Sequence, residues 1–234
     1  DAELHARTAD GNPAFVPWPP GAFALPSLAA DGFLQAVERW ISAVGAQLAD
    51  DLAPAGSIVA IGLERQPGLW LRRGGLDLDY HPQALAGWRV AGHDAPPTHA
   101  STPALKHAWH QHQQRIVADA LRRFSQAADQ AGLGHVARLC SGYLDDGTSD
   151  RGAIEDAIAG PVVKVVAVPR HRREELDLAR IEYARAGSDP PPCIIDLGLA
   201  RSAFLPPVEE LGDRWRGRDH ALRALAEGAR GLVF

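Results

Sequence analysis

Cysteine is scarce in this sequence, which has two such residues, Cys140 and Cys193, among 234. Two cysteines cannot form the disulfide framework of a small secreted protein. We therefore expect both to be free thiols, not bonded to each other, in a cytoplasmic protein. The chain also lacks an apolar run approaching the ~18 residues that a membrane helix needs. A membrane partner is therefore not expected.

Excess positive charge is also missing, because 24 lysines and arginines are outnumbered by 29 aspartates and glutamates. The net charge of −5 argues against a dedicated nucleic-acid-binding protein, which is usually basic. Short catalytic motifs are absent as well: the chain has no G-x-S-x-G, GxxxxGK(S/T), GxGxxG or CxxC sequence. The sequence therefore predicts neither a particular cofactor nor a nucleophile.

Proline is concentrated near the start of the chain, where the segment FVPWPPGAFALPSL (15–28) carries four. Because proline fixes the backbone φ angle and removes a hydrogen-bond donor, residues 1–30 are predicted to form an extended N-terminal arm. We expect the arm to lay Phe15, Trp18 and Phe23 on the body of the protein. Alternatively, it binds a partner as a polyproline segment. Residues 31–234 are predicted to form a single domain.

The apolar residues of this domain alternate between helical and strand-like spacing. Helices are predicted from Asp31 as an N-cap, from Pro103 to about residue 131, and at 151–160, 173–187 and 218–229. Buried strands are predicted at 57–63, 162–168 and 193–197, with weaker candidates at 135–144 and 231–234. Gly74-Gly75 indicates a hairpin, and residues 81–101 a long loop. This order is typical of an α/β fold, which we expect to be a three-layer sandwich with a mixed, mainly parallel sheet.

Three histidines, His107, His110 and His112, fall within six residues of the longest predicted helix. Each residue turns a helix by about 100°, so His107 and His110 are neighbours whereas His110 and His112 point in nearly opposite directions. The three cannot bind one ion, and we predict no metal site. A site built on His107 and His110 would need a further ligand, for which the candidates are His93, Asp94 and His99.

Two other interpretations of the histidines remain open. One is a solvated helix face that also includes Gln113, and the other is a proton-transfer role for His110. The apolar spacing places Trp109, Ile116 and Phe124 on the buried face of the helix, which leaves His107 exposed.

A basic stretch, PRHRREEL (169–176), follows the predicted strand 162–168 directly. Ligands of α/β sheets bind beyond the carboxyl ends of the strands, and the N-terminus of a helix favours an anion. We therefore expect Arg170 and Arg172, together with Arg201 after the next strand, to hold an anion. The alternative is a solvated network in which Glu174 and Asp177 pair with these arginines.

The leading hypothesis is an α/β enzyme, or an enzyme-like domain, that binds a small phosphorylated or carboxylated ligand at the carboxyl edge of its sheet. Asp196, next to the end of the predicted strand 193–197, and one histidine, His171 or His110, are the candidates for proton transfer. One alternative is a non-catalytic bacterial accessory protein that binds a protein partner through the arm and the 81–101 loop. A second is a metal-dependent hydrolase that uses His107 and His110.

Overall fold

A computed structural model of the chain describes residues 2–18, 21–64, 79–141, 162–167, 193–196, 222, 225–226 and 230–233. In chain order its elements are β1 (Phe15–Trp18), β2 (Gly21–Ala24), α1 (Asp31–Leu48), β3 (Ala60–Glu64), α2 (Pro82–Val90), α3 (Pro103–Gln130), β4 (Ala137–Ser141), β5 (Val162–Ala167), β6 (Cys193–Asp196) and β7 (Gly231–Val233). The hairpin predicted at Gly74-Gly75 and the helices predicted at 151–160 and 173–187 lie outside the described residues. Residues 222, 225 and 226 are helical, as predicted for 218–229.

Strands β3 to β7 form one five-stranded sheet in which neighbours in space follow one another along the chain. Every neighbouring pair among these strands is parallel. Strands rich in apolar residues, such as Val162–Ala167 with Lys164 as its one charged residue, suit a parallel sheet, because crossover segments cover such a sheet and leave little of it in water. The α/β class predicted from the sequence is therefore confirmed, as are strands at all five predicted positions.

The register of the sheet keeps the two cysteines apart. Cys140 of β4 and Cys193 of β6 both lie in register with Lys164, which occupies the strand between them. Two strand spacings separate their Cα atoms by about 9.6 Å. A disulfide needs Cα atoms within about 7 Å. The two cysteines are therefore not bonded to each other, as the sequence predicts.

Helix α3 has the bounds that the sequence predicts. The Thr102 hydroxyl accepts a hydrogen bond from the Leu105 N–H at 3.4 Å, and Pro103 occupies the first turn, where its missing N–H costs nothing. The helix ends just before Gly132, whose φ of 80° suits glycine. Trp109 and Phe124 are buried and His107 is exposed, as predicted, whereas Ile116 is only partly buried at the edge of the core.

Helix α1 packs along α3 and closes the main apolar core. Leu34 and Ile41 of α1 share this core with Val117 and Leu121 of α3. Asp31 does not cap α1 as predicted, since Ala30 occupies that position without a side-chain cap. Instead, the Asp31 carboxylate pairs with Arg123 of α3 at 2.8 Å and accepts a hydrogen bond from the Gln83 amide at 3.1 Å. Contacts with other elements thus replace the local cap.

The long loop predicted at 81–101 is wrong in its first half, where the chain forms α2. His81 caps this helix because its Nδ1 accepts a hydrogen bond from the Gln83 N–H at 3.2 Å, and Pro82 occupies the first turn. Ala84 and Trp88, one turn apart, are both buried. Nine residues give too few turns for a periodic signal, and packing of the Trp88 indole holds the helix in place.

The N-terminal segment forms a β-hairpin and docks at the start of α2. Its strands pair in antiparallel register, with Phe15 opposite Ala24 and Val16 opposite Phe23. Phe15 is 54% exposed and Phe23 is 62% exposed, so the prediction that these side chains lie on the body is wrong. Both sit on a ribbon of two strands, and Phe15 lies on the opposite face of it from Phe23.

None of the helices in the described part of the chain is long and apolar enough to cross a membrane.

Candidate functional site

Parallel pairing brings the carboxyl ends of five strands to one edge of the sheet, here called the carboxyl edge. β3 ends at Glu64, β4 at Ser141, β5 at Ala167, β6 at Asp196 and β7 at Val233. Asp196 is in register with Ala167 and with Val233 of β7. The register of β3 is irregular between Gly62 and Glu64, immediately before this edge. The carboxyl edge therefore carries Asp196, one of the predicted proton-transfer residues.

The two faces of the sheet are distinguished by the contacts of Arg138. Its buried guanidinium bonds to Ser125 and Asp129 of α3, so the face of Arg138 is the face that α3 covers. Alternate residues of a strand belong to opposite faces, and residues in register share a face. Following the register from Arg138 through β5 to β6 assigns Asp196 to the opposite face, together with Ser141 of β4.

Helix α3 is much longer than the strands of the sheet. Its C-terminal part is level with the start of β4, because the Arg138 Nη1 donates a hydrogen bond to the Ser125 hydroxyl at 2.8 Å. From Ser125 back to Pro103 the helix is about 33 Å long, whereas β4 extends only about 10 Å beyond Arg138. We call the N-terminal half of α3, residues 103–117, the overhang, because measured along the helix it begins about 12 Å from Ser125, more than the length of β4 that follows Arg138.

His110 lies on this overhang, at the same end of the sheet as Asp196. Its ring is partly exposed, and its Nε2 is 3.0 Å from the side-chain amide nitrogen of Gln114. With the amide donating, Nε2 is the acceptor, and the neutral ring carries its proton on Nδ1. His110 thus has the ionisable group and the partial exposure that proton transfer requires.

The other histidines of the helix belong to different environments. His107 is exposed, whereas the half-buried His112 donates from Nε2 to the Ala84 carbonyl of α2 at 2.9 Å. Gln113, predicted to lie on a solvated face, is only 4% exposed. Within the described ranges, no three histidine, cysteine or acidic side chains come close enough to bind a metal ion. His93, Asp94 and His99, which the structure describes, therefore do not complete a site with His107 and His110.

An aromatic cluster, not predicted from the sequence, joins α2 to the overhang. It consists of Tyr80, Trp88, His93, Trp109 and His112. The Trp88 ring stacks on His93 at 3.7 Å and meets Trp109 edge-on at 5.1 Å, while Tyr80 stacks on Trp109 at 5.2 Å. The Trp88 indole also donates a hydrogen bond to the Ala95 carbonyl at 3.0 Å. The one signal in the sequence was Trp88, a large aromatic residue within the segment predicted as a loop.

A buried carboxylate, Asp79, fixes the N-terminal segment to the start of α2. Its Oδ1 accepts hydrogen bonds from the backbone N–H of Arg7 at 3.1 Å and of His81 at 2.9 Å, and its Oδ2 lies 2.5 Å from the Ser27 hydroxyl. His81 uses its Nε2 to donate to the Glu3 carbonyl at 2.8 Å. Serine, histidine and aspartate meet here, but the hydroxyl contacts Asp79 rather than the imidazole. The group therefore ties segments together and is not a nucleophilic triad.

Burial raises the pKa of the Asp79 carboxyl above its ordinary value of 3.8, although the hydrogen bonds from Ser27, Arg7 and His81 act in the opposite direction. A raised pKa means that the folded state binds the proton more tightly than the unfolded state. The contribution of this group to stability is therefore full below the unfolded pKa and is lost as the pH rises through the folded pKa.

Asparagine at position 79 should reproduce the protonated carboxyl, because its oxygen accepts from two N–H groups and its amide donates to Ser27. Relative to Asp79→Asn, the wild type should gain stability between pH 7 and pH 4 in urea unfolding. Asp79→Ala should cost roughly 1–3 kcal/mol at either pH, because it leaves buried donors unpaired. If the difference in unfolding free energy between the wild type and Asp79→Asn is the same at pH 7 and pH 4, the account of Asp79 is contradicted.

The remaining predicted residues, Arg170, His171, Arg172 and Arg201, lie outside the described residues. What the structure defines is an α/β protein with a parallel sheet, whose carboxyl edge includes Asp196 and stands beside a long helical overhang. No known protein-family model matches the chain, and no curated protein is similar enough to match it.

Proposed function

We propose that this protein is an α/β enzyme, or an enzyme-like domain, that binds a small phosphorylated or carboxylated ligand at the carboxyl edge. The observation that carries the proposal is the all-parallel pairing of β3 to β7, which gathers their carboxyl ends at one edge. In parallel α/β folds the segments that leave this edge build the binding site, since the strands hold them in fixed positions.

The arginines predicted to bind the anion come only a few residues after strands that end at the carboxyl edge. Arg170 is three residues beyond Ala167, so their Cα atoms are at most about 11 Å apart, and Arg201 is at most about 19 Å beyond Asp196. Guanidinium groups bind phosphate and carboxylate through paired hydrogen bonds. We assign Arg170, Arg172 and Arg201 to the anion on this basis.

Proton transfer is assigned to Asp196 together with His110 or His171. Asp196 stands at the carboxyl edge, and His110 stands on the overhang at the same end of the sheet. His171 follows β5 by four residues. A carboxylate and an imidazole differ in ordinary pKa by more than two units, so near neutral pH one can accept a proton while the other donates one.

The finer architecture is part of the proposal. Crossovers between parallel strands are right-handed in about 98% of cases, so strands in sequence order have their connecting segments on one face, here that of α3. The opposite face, to which Asp196 is assigned, must then be covered by another part of the chain or enclosed by curvature of the sheet toward a barrel. The order therefore favours a curved sheet with one helical layer over the three-layer sandwich, mixed in direction, that the sequence suggests.

A thermal-shift comparison with phosphate tests the assigned function. At constant ionic strength set by chloride, phosphate at ten times its Kd should stabilise the wild type by about 1.4 kcal/mol. The double variant Arg170→Ala, Arg172→Ala should lose this gain. A matched control, Arg39→Ala with Arg122→Ala, removes two positive charges from exposed positions on α1 and α3 and should keep it. Equal phosphate responses of the two double variants would sink the proposal.

A second candidate, a non-catalytic accessory protein that binds a protein partner, is favoured by one observation. Phe15 and Phe23 expose more than half of their surface on the N-terminal hairpin. Large exposed aromatic side chains are typical of contact surfaces. If this hypothesis holds, the wild type should show no phosphate response. The double variant Phe15→Ser, Phe23→Ser should keep the unfolding midpoint of the wild type, should likewise show no phosphate response, and should no longer bind the partner.

A further inference from the structure

His112 occupies the interface between α2 and the overhang. Its Nε2 donates to the Ala84 carbonyl at 2.9 Å, and its ring lies 5.5 Å from that of Trp88 and 5.6 Å from that of Trp109. Gly87 of α2 allows this approach, since a Cβ atom there would be 3.2 Å from the His112 Cε1. The imidazole is thus packed directly against α2 from the side of α3.

Helix α2 depends on this interface for its stability. A helix of nine residues is too short to be stable alone in water. Its buried residues are Ala84 and Trp88. Trp88 contacts Trp109 and His112, and Ala84 bonds to His112. A change in the charge of this imidazole therefore acts on the side chains that hold α2 in place.

We propose that protonation of His112 loosens α2 from the overhang, so that α2 is docked near neutral pH and released in acid. The chain leaves β3 at the carboxyl edge and returns through α2 to α3, so α2 belongs to the segment that follows this edge. The regulatory consequence, a site that opens as the pH falls, rests on the function proposed above. The docking equilibrium itself does not.

The charges around His112 favour its neutral form. Among the described residues, the groups that face it are Arg115 of its own helix and His93 from the loop after α2, while α2 presents the Ala84 carbonyl. Burial is the largest influence and lowers the pKa of His112, the Ala84 carbonyl opposes this, and Arg115 and His93 add to the lowering. The neutral ring keeps its proton on Nε2, and acid adds a second proton and a charge.

The direction of the pH effect follows from this lowered pKa. In the open state the imidazole is solvated and titrates near its ordinary value of 6.5. Between that value and the lower pKa of the docked state, the open state binds more protons. Docking is therefore strongest above pH 6.5, weakens as the pH falls below 6.5, and reaches its limiting loss below the docked-state pKa. The limiting loss is about tenfold in the docking equilibrium for each unit of pKa difference.

Amide hydrogen exchange of α2, without any ligand, tests the proposal. After correction for the intrinsic exchange rate, the amides of Leu85, Trp88 and Arg89 should lose protection between pH 8 and pH 5. The loss should approach about tenfold for each unit by which the docked-state pKa of His112 lies below 6.5. His112→Gln stays neutral and keeps a donor for Ala84, so its protection should not change with pH. His107→Gln, an exposed histidine on the same helix, should behave like the wild type.

The wild type provides a second readout, should His112→Gln fail to fold. The His112 Cε1–H resonance reports its titration directly, and its midpoint should lie below pH 6.5. Protection of α2 should fall between pH 6.5 and that midpoint and then level off. Protection that stays constant from pH 8 to pH 5, or a midpoint at or above pH 6.5, would overturn the proposal. If phosphate stabilises the protein at no pH while α2 still loses protection in acid, that result counts against the proposed function alone and not against the docking equilibrium.

Discussion

Replacement of Trp109 with alanine is expected to lower the free energy of unfolding by about 3–5 kcal/mol, the range for large aromatic truncations in cores. The indole is 0% exposed and contacts Tyr80 and Trp88 at ring distances of 5.2 and 5.1 Å. The truncation would leave a cavity where α2, the overhang and the segment at Tyr80 meet. The urea unfolding midpoint measures the loss.

Trp40 provides the matched control for this truncation. It is also a helical tryptophan, but it is 65% exposed on α1. Trp40→Ala should therefore stay within about 0.5 kcal/mol of the wild type, as surface substitutions usually do. Similar losses for the two variants would show that the burial assigned to Trp109 does not determine its contribution.

Replacement of Asp129 with alanine is expected to destabilise the protein by about 3–5 kcal/mol, because it leaves the charge of Arg138 buried without its carboxylate. Arg138 is 0% exposed and bonds to Asp129 and Ser125, while Asp129 is 45% exposed. This difference in exposure decides which substitution costs more, because water can hydrate an unpaired Asp129 carboxylate but cannot reach an unpaired Arg138 guanidinium.

The reverse substitution, Arg138→Met, should cost less than Asp129→Ala, because it removes the buried charge and leaves a carboxylate that water reaches. Combining the two should recover part of the stability lost in Asp129→Ala. Urea unfolding of the two single variants and the double variant measures these differences. The opposite order of the single variants would contradict the assignment of Arg138 as the buried member of the pair.

The elements that the sequence predicts well are those with strong local signals. α3 combines a Thr-Pro start, many helical turns and a glycine stop, and β5 is rich in valine and follows the helix-breaking pair Gly160-Pro161. Several local signals agree at each of these elements, so the prediction does not depend on tertiary contacts. α2 is too short for such a pattern, and Asp31 pairs with Arg123 and Gln83 instead of capping its own helix. Tertiary contacts decided both cases.

The candidate site divides in the same way. Asp196 and its position at a strand end follow from the sequence, because a buried strand predicts where its own carboxyl end lies. The strand order, the assignment of Asp196 to the face opposite α3, and the extent of the overhang depend on pairing between distant segments. The burial of Gln113 and the contact of His112 with Ala84 likewise arise when α2 docks. A single helix pattern does not contain that information.

The location of a bound anion tests the central claim most directly. In a phosphate titration followed by amide nuclear magnetic resonance, residues at the carboxyl edge should shift, above all Ala167 and Asp196. The amides of Ala137 and Val162, at the opposite ends of β4 and β5, should not. Saturable shifts confined to the carboxyl edge are the result we predict. Shifts at the opposite edge alone, or no saturable shift anywhere, would contradict an anion site at the carboxyl edge.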